Sequence, residues 1–385
     1  IWSDKSDKKL VIAIGLVIFI IGSLVCAFSN DIIWLIIGRF LQGAGAIGGV
    51  ISAQIADLVR EEKRSKAMAM MGAGIFMSFI FAMILGPLIA GNIGLQAIFL
   101  LTALLNTIAL IVLLVRVPST PKIIYTYQNT DFINILKNPS LQVLNLSVLL
   151  QKFLMIFTFV IVGLVLNDLF DIHESSLWKI YTPGAILGFL SLAPASILAQ
   201  KKGYFKQVLL VGVIAFMLAY ILIAYASYIG SLWLFVLGVM IFFVGFSIHE
   251  PIMQTLASRY PKAHQKGSAL GFLTTLGFVG SALGALCGGV LYQSLSFVDL
   301  SMCVVVACVL WAILMAVRLH NPNNEKNLYL PIDSYTQESL QSLSAVSGII
   351  EWYTNTTQGV VIIKYDDTLL QEGEILSHLV HKEHS

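Results

Sequence analysis

Long apolar runs broken by short polar stretches set the rhythm of this sequence. Ten runs stand out, over 10–28, 32–56, 67–91, 95–117, 141–166, 177–199, 207–228, 231–253, 267–293 and 300–317. Apolar residues fill every face of these runs rather than one stripe. An α-helix rises about 1.5 Å per residue, so roughly 20 apolar residues cross a hydrocarbon core of about 30 Å. The pattern therefore predicts ten membrane-spanning helices. The first run is too long for a signal peptide and lacks a small-residue cleavage site.

The breaks between the runs carry orientation. One set holds Lys5, Lys8 and Lys9, then Arg60, Lys63, Arg64 and Lys66, then Arg116, Lys122 and Lys137. It continues with Lys201, Lys202 and Lys206, and with Arg259, Lys262 and Lys266. The alternate breaks, at 29–31, 91–96, 167–176 and 225–231, are short, and His173 is their only basic-capable residue. Basic loops stay on the cytoplasmic side, which predicts a cytoplasmic tail after Arg318.

Composition agrees. Hydrophobic residues make up 57% of the 385 and charged residues 11%, against about 25% charged in a soluble domain. The net charge of +2 is spread over topology-setting loops, so no nucleic-acid face is expected. Cys26, Cys287, Cys303 and Cys308 all fall inside runs, with neither metal-ligand nor disulfide-framework spacing. No nucleophile–base pair, metal cluster or Gly-rich nucleotide loop appears. That argues against an enzyme and implies no cofactor.

An internal repeat is legible. RSKAMAMMGAG (64–74) is echoed by QKGSALGFLTT (265–275), Gly86-Pro87 by Gly288-Gly289, and the basic loop 5–9 by KKGYFK (201–206). The offsets are all near 200 residues. The second half begins near Pro139, so its partner would begin some way before Ile1, with room for two more spans. The expectation is a twelve-span protein of two six-helix halves, here lacking the first helix and most of the second. Halves related in this way are one plan of secondary transporters. The expected organisation is 1–117 for the first half, 118–140 for a cytoplasmic linker, 141–318 for the second half, 319–327 for a polar linker and 328–385 for a small domain.

Charges at membrane depth are the candidate chemistry. Arg39 lies about 10 Å inside its run, and Lys152, beside Gln151, about 16 Å inside its own. Each needs a partner, a carbonyl or water, or must snorkel along a groove. Glu250 precedes Pro251, and an apolar span penalises the charged carboxylate, which makes Glu250 a candidate proton carrier. Pairing with an Arg or Lys near the cytoplasmic mouth is the alternative. Its neighbour His249 points to another helix face. Gly72, Gly74, Gly86, Pro87 and Gly91 form a stripe expected to serve close helix packing, with a kink at Pro87.

In the tail, LYLPI (328–332) predicts a strand, 336–346 a helix, 349–355 and 360–366 a hairpin, and 368–382 a second helix. The order βαββα resembles a ferredoxin-like domain of the heavy-metal-associated type without its cysteines. His378, His381 and His384 fit a solvated helix end better than a metal site. The domain is expected to bind a regulator or to self-associate.

Three motifs carry a family resemblance. SDKSDKK (3–9), LIIGRFLQGAGAIGG (35–49) and LGPLIAG (85–91) resemble the loop, fourth-helix and fifth-helix signatures of the major facilitator superfamily. The last is that of its drug–proton antiporters. With its tail, the chain resembles YajR-type transporters. Trp2, Asp7 and Ala82 depart from the signatures. The resemblance implies an all-α polytopic fold with a small α+β C-terminal domain, in a bacterial inner membrane. It implies proton-coupled export of a small molecule by alternating access, with protons, substrate and lipid as partners. It further implies a latch of Asp4, Lys5, Lys8, Lys9, Asp57 and Arg60, a coupling role for Arg39, and packing roles for Gly43 and Gly45. Import of a small metabolite, facilitated or with protons, and sensing through the tail are the alternatives.

Overall fold

The computed structural model describes residues 7–45, 47–59, 61–118, 137–173, 176–261, 265–320, 325–331, 334–335, 340, 342–343, 346–355, 359–377 and 379. These fall into two compact units, one ending at His320 and one beginning after it.

The first unit is helical: α1 Lys8–Ala27, α2 Ile32–Ala44, α3 Gly48–Leu58, α4 Glu61–Asn92, α5 Leu95–Arg116, α6 Pro139–Phe170, α7 Trp178–Lys202, α8 Phe205–Ile229, α9 Leu232–Arg259, α10 Lys266–Ser294 and α11 Phe297–Arg318. Among the described residues these supply ten segments long and apolar enough to cross a membrane. The expected continuous run 32–56 is one such segment, broken into α2 and α3. The break falls in the glycine-rich stretch around Gly45, where low helix propensity makes interruption cheap.

Local chemistry sets the helix ends. Asp7 caps α1 by accepting from the Lys9 N–H at 3.0 Å. Asp31 accepts from the Ile33 and Trp34 N–H groups at 2.8 and 3.0 Å. Asn138 accepts from Ser140 and Leu141, ahead of Pro139 in the first turn of α6. Such caps satisfy amides that a helix start leaves orphaned. Gly203 and Gly230, both at φ +70°, end α7 and α8 in the left-handed conformation that glycine adopts without penalty.

Two lysines each finish the C-terminus of a helix in this unit. Lys9 Nζ donates to the carbonyls of Leu114 and Val117 at 3.1 and 2.7 Å, at the C-terminus of α5. Lys206 Nζ donates to the carbonyl of Ala316, near the C-terminus of α11. A cation at a helix C-terminus meets the negative end of the macrodipole and unpaired carbonyls. The two basic loops that mirror one another in sequence thus perform the same local task.

The core of this unit runs through α6, α8, α9 and α11, with Phe205, Phe216, Phe235, Phe242 and Phe243 essentially inaccessible. Many outward residues, such as Val115, Trp233, Leu286 and Val317, remain exposed. Lipid solvates such a surface where water would not.

The second unit holds an antiparallel sheet of β1 Glu325–Pro331, β2 Ile349–Asn355 and β3 Val360–Asp366, ordered β1-β3-β2. A short helix, α12 Glu372–Ser377, follows. Val361, Ile363 and Tyr365 alternate into a core with Leu328, Leu330, Leu343 and Ile375. β1 starts earlier than the expected 328, because its pairing with β3 extends to Glu325 opposite Asp366. The second helix is shorter than expected within the described residues. Residues 336–339 of the other expected helix, and His378, His381 and His384, lie outside them.

Candidate functional site

The site begins with a close seam between α6 and α10. Gly277, Gly280, Gly284 and Gly288 lie at helical spacing along α10. A Cβ at Gly280 would collide with the Leu149 carbonyl, and one at Gly284 with that of Phe153. Only glycine permits this backbone approach. Gly277 faces the Lys152 stem, with a Cβ there falling 3.4 Å from its Cγ. The absent side chain leaves the lane along which the lysine extends.

From that lane Lys152 Nζ reaches Glu250 Oε2 at 2.8 Å. Gln151 donates through Nε2 to the same carboxylate oxygen and to the Phe246 carbonyl, both at 3.3 Å. Gln254, one turn along α9, also hydrogen-bonds Glu250. The Lys152 ammonium lies 5.2 Å from the centroid of the Phe246 ring, within range of a cation–π attraction. Pro251 lacks the N–H that would bond the carbonyl four residues back, which loosens α9 beside the carboxylate. Gln151 is fully buried, and its Oε1 has no hydrogen-bond partner.

The pair opens on a cavity of about 260 Å³. Gly48 and Ser52 of α3 and Met71 and Ile75 of α4 line one part of it. Val148, Lys152 and Met155 of α6, Glu250, Met253 and Gln254 of α9, and Thr274, Gly277, Phe278 and Ser281 of α10 line the rest. The Lys152 and Glu250 side chains are 25% and 24% exposed, enough for a solute to touch both. The expected residues Gln151, Lys152 and Glu250 therefore come together. Glu250 thus takes the alternative expected for it, a lysine partner, and that lysine is Lys152; the roles of Gln254, the methionines and Gly277 were not anticipated. The glycine spacing in α10 was the available signal.

Other expected residues stand elsewhere. Arg39 is exposed, not sunk in a polar cleft, and its Nη1 donates to Gln42 Oε1 at 2.9 Å. Buried Gln42 in turn donates to Ser23 Oγ at 2.8 Å. The i, i+3 spacing of Arg39 and Gln42 puts them on one helix face. His249 is buried away from the cavity. It is stacked on Phe216 and Trp311 at centroid distances of 5.4 and 5.3 Å, with Nδ1 2.8 Å from the Gly245 carbonyl.

Among the expected packing glycines, Gly45 does lie against the α1 backbone at Gly15 and Phe19. Gly43, Gly86 and Gly91 do not: a Cβ at any of them meets nothing within 4 Å. Close backbone contacts fall instead on Gly280 and Gly284 of α10 and, with Gly45, on Gly22 and Gly38 between α1 and α2. Of the expected latch, Asp4, Lys5 and Arg60 lie outside the described residues, as does the side chain of Asp57; the side chain of Pro87, the expected kink, lies outside them too. Lys8 and Lys9 begin α1, and the described partners of Lys9 are the α5 carbonyls.

Comparison with known proteins decides the family. The model of the Major Facilitator Superfamily matches residues 1–285. The chain belongs to the major facilitator superfamily. It is 34% identical over 291 residues to the inner membrane transport protein YajR of Escherichia coli K12, covering 74% of this chain and 63% of that protein's length. It is 28% identical over 313 residues to the class B tetracycline resistance protein of Escherichia coli, covering 76% and 73% of the two chains. The solved structure of the human organic anion transporter MFSD10 superposes with a TM-score of 0.69 at 18% identity, covering 81% of this chain and 79% of that one. That likeness concerns the fold. The chain is thus a multi-pass membrane protein with a transporter fold and a small α+β unit at its C-terminus.

Proposed function

We propose that this superfamily member is a proton-coupled secondary transporter of small molecules, working by alternating access between two six-helix halves. One observation carries the reading: a Lys152–Glu250 pair inside the membrane region, turned into a cavity. Charged side chains at such depth are costly and mark substrate or ion paths. Glu250 can be charged against Lys152 or neutral with a proton, and a coupled carrier needs two such charge states.

The fifth-helix motif LGPLIAG and the similarity to a tetracycline resistance protein support export in exchange for protons. Under this reading Asp4, Lys5, Lys8, Lys9, Asp57 and Arg60 form the latch that favours the outward-open state, and Arg39 assists coupling. The membrane is the bacterial inner membrane, with the tail in the cytoplasm. The small unit is a ferredoxin-like module that docks a regulator or a second copy.

The same pair favours a second reading. Lys152 already occupies Glu250, so a solute that takes Lys152 leaves Glu250 to accept a proton, and solute and proton then travel together. Flux in reconstituted vesicles under an imposed pH gradient tests both. Solute moving against the proton flow supports exchange, and solute moving with it supports cotransport. Flux indifferent to the gradient, or coupling untouched by Glu250→Gln, rejects proton coupling through this residue.

A further inference from the structure

We propose that the cavity takes a small amphipathic organic anion, whose acidic group replaces Glu250 on the Lys152 ammonium while Glu250 takes up a proton from water. The inference rests on the cotransport form of the function proposed above and names its substrate class.

Charge balance is the first argument. Lys152 and Glu250 are the ionisable side chains among the described lining residues, and together they sum to zero. A cation entering pairs with Glu250 and is balanced only if Lys152 gives up its proton, which the Phe246 ring beside the ammonium opposes. An anion entering leaves a negative one, which a single proton on Glu250 cancels. The anion and proton leave a neutral site, and every charge in it keeps a partner.

Neighbouring groups suit that exchange. The Phe246 ring beside Lys152 favours the charged ammonium after Glu250 departs. Gln151 touches the carboxylate through Nε2, and the Oε1 of the same amide is buried without a partner among the described residues. A protonated Glu250 gains an O–H to donate, which an unpaired acceptor on this amide suits. No other titratable group faces the exchange among the described residues. Tyr181 of α7 donates to the Phe159 carbonyl, Tyr220 of α8 is bonded to Thr158, and His249 is turned to Phe216 and Trp311. The linings from α3, α4 and α10 are uncharged.

The rest of the wall defines the body of the ligand. Met71, Met155, Met253 and Phe278 are apolar, and thioethers adapt to varied shapes. The cavity of about 260 Å³ lies just below the roughly 300–1,000 Å³ of pockets for drug-sized ligands. A ring system bearing one carboxylate matches that size and polarity.

Calorimetric titration of the purified protein with 2-naphthoate, and with 2-naphthylmethylamine as a cation of matched shape, tests this. Naphthoate should bind and the amine should not. Naphthoate affinity should rise up to about tenfold for each unit of falling pH between 8 and 6, with one proton taken up per anion. Glu250→Gln should bind naphthoate at least as tightly and without pH dependence. Lys152→Gln should lose binding, and Lys152→Arg, which keeps the charge, should retain it with a wild-type melting profile. Absent naphthoate binding, preferential amine binding, pH-independent wild-type binding, or binding that survives Lys152→Gln overturns the proposal. If these binding results hold but vesicle flux ignores the pH gradient, the transport reading fails and the anion site stands.

Discussion

Arg39 and Lys152 look alike in sequence, each a lone cation inside an apolar run, yet the structure treats them differently. Arg39 stays exposed and leans on a neutral neighbour from its own helix, Gln42 at 2.9 Å. Lys152 is joined at 2.8 Å to a carboxylate 98 residues away on another helix. Beside it a glycine leaves room for the stem, and an aromatic ring flanks the ammonium. An exposed cation can adjust to water or headgroups, so losing its partner costs little. A half-buried pair cannot, and removing one member strands the other. Depth along a helix therefore says that a charge needs an answer, and the neighbouring helices say which answer it receives.

The sharpest break of this comparison is Lys152→Ala. Stranding Glu250 should lower stability by about 3–5 kcal/mol, read as a lower thermal midpoint in detergent at pH 8. The double change Lys152→Met with Glu250→Gln should recover most of that loss without recovering transport. If Lys152→Ala melts like wild type, the pair is not the structural answer argued here. Next in size is the seam that aims Lys152. Gly284→Val drives a side chain into the Phe153 carbonyl and should cost about 1–3 kcal/mol. Gly91→Ala, with open space around it, should stay within about 0.5 kcal/mol of wild type. Equal effects of the two would refute the assignment of close packing to α10.

Arg39→Gln should cost no more than about 1 kcal/mol. A loss as large as that of Lys152→Ala would erase the contrast between the two cations. Lys9→Met and Lys206→Met should each cost about 0.3–1 kcal/mol through the carbonyls of α5 and α11 that they leave unpaired. Faster hydrogen exchange at the ends of those helices is the readout. The smallest expected effect lies in the C-terminal unit. There the Thr368 hydroxyl and N–H hold the Asp366 carboxyl below its ordinary value. A depressed carboxyl stabilises the folded state above its unfolded-state value, near 3.9, and that contribution disappears as pH falls through the folded-state value. Asp366→Asn should remove this acid sensitivity from exchange of the 366–370 turn. A turn that keeps its acid sensitivity in Asp366→Asn would place the titration elsewhere.

Much of the fold was open to reading in one dimension. The ten apolar segments follow from run length, and the hairpin of β2 and β3 from alternation around TTQG. The mirrored loops at Lys9 and Lys206 carry a repeat whose local consequence, two capped helix ends, is visible in three dimensions. The site was half legible. Gln151, Lys152 and Glu250 are conspicuous because charge and amide groups are expensive in an apolar run. Of the packing glycines sought, Gly45 lies in a close contact and Gly86 does not, while Gly280 and Gly284 were not sought, since small residues permit close approach without choosing which helix will come near.

Hydrophobic run length, basic-loop alternation and the rarity of buried charge determined from the sequence alone that this protein spans a membrane and where its chemistry could reside. Those signals are local, or depend only on the solvent surrounding each segment. The tertiary structure decided that Lys152 meets Glu250, that Arg39 does not share that site, and that α10 supplies the close seam. These are contacts between helices far apart in the chain, fixed by which surfaces fit together, and no single segment encodes the shape of its neighbour.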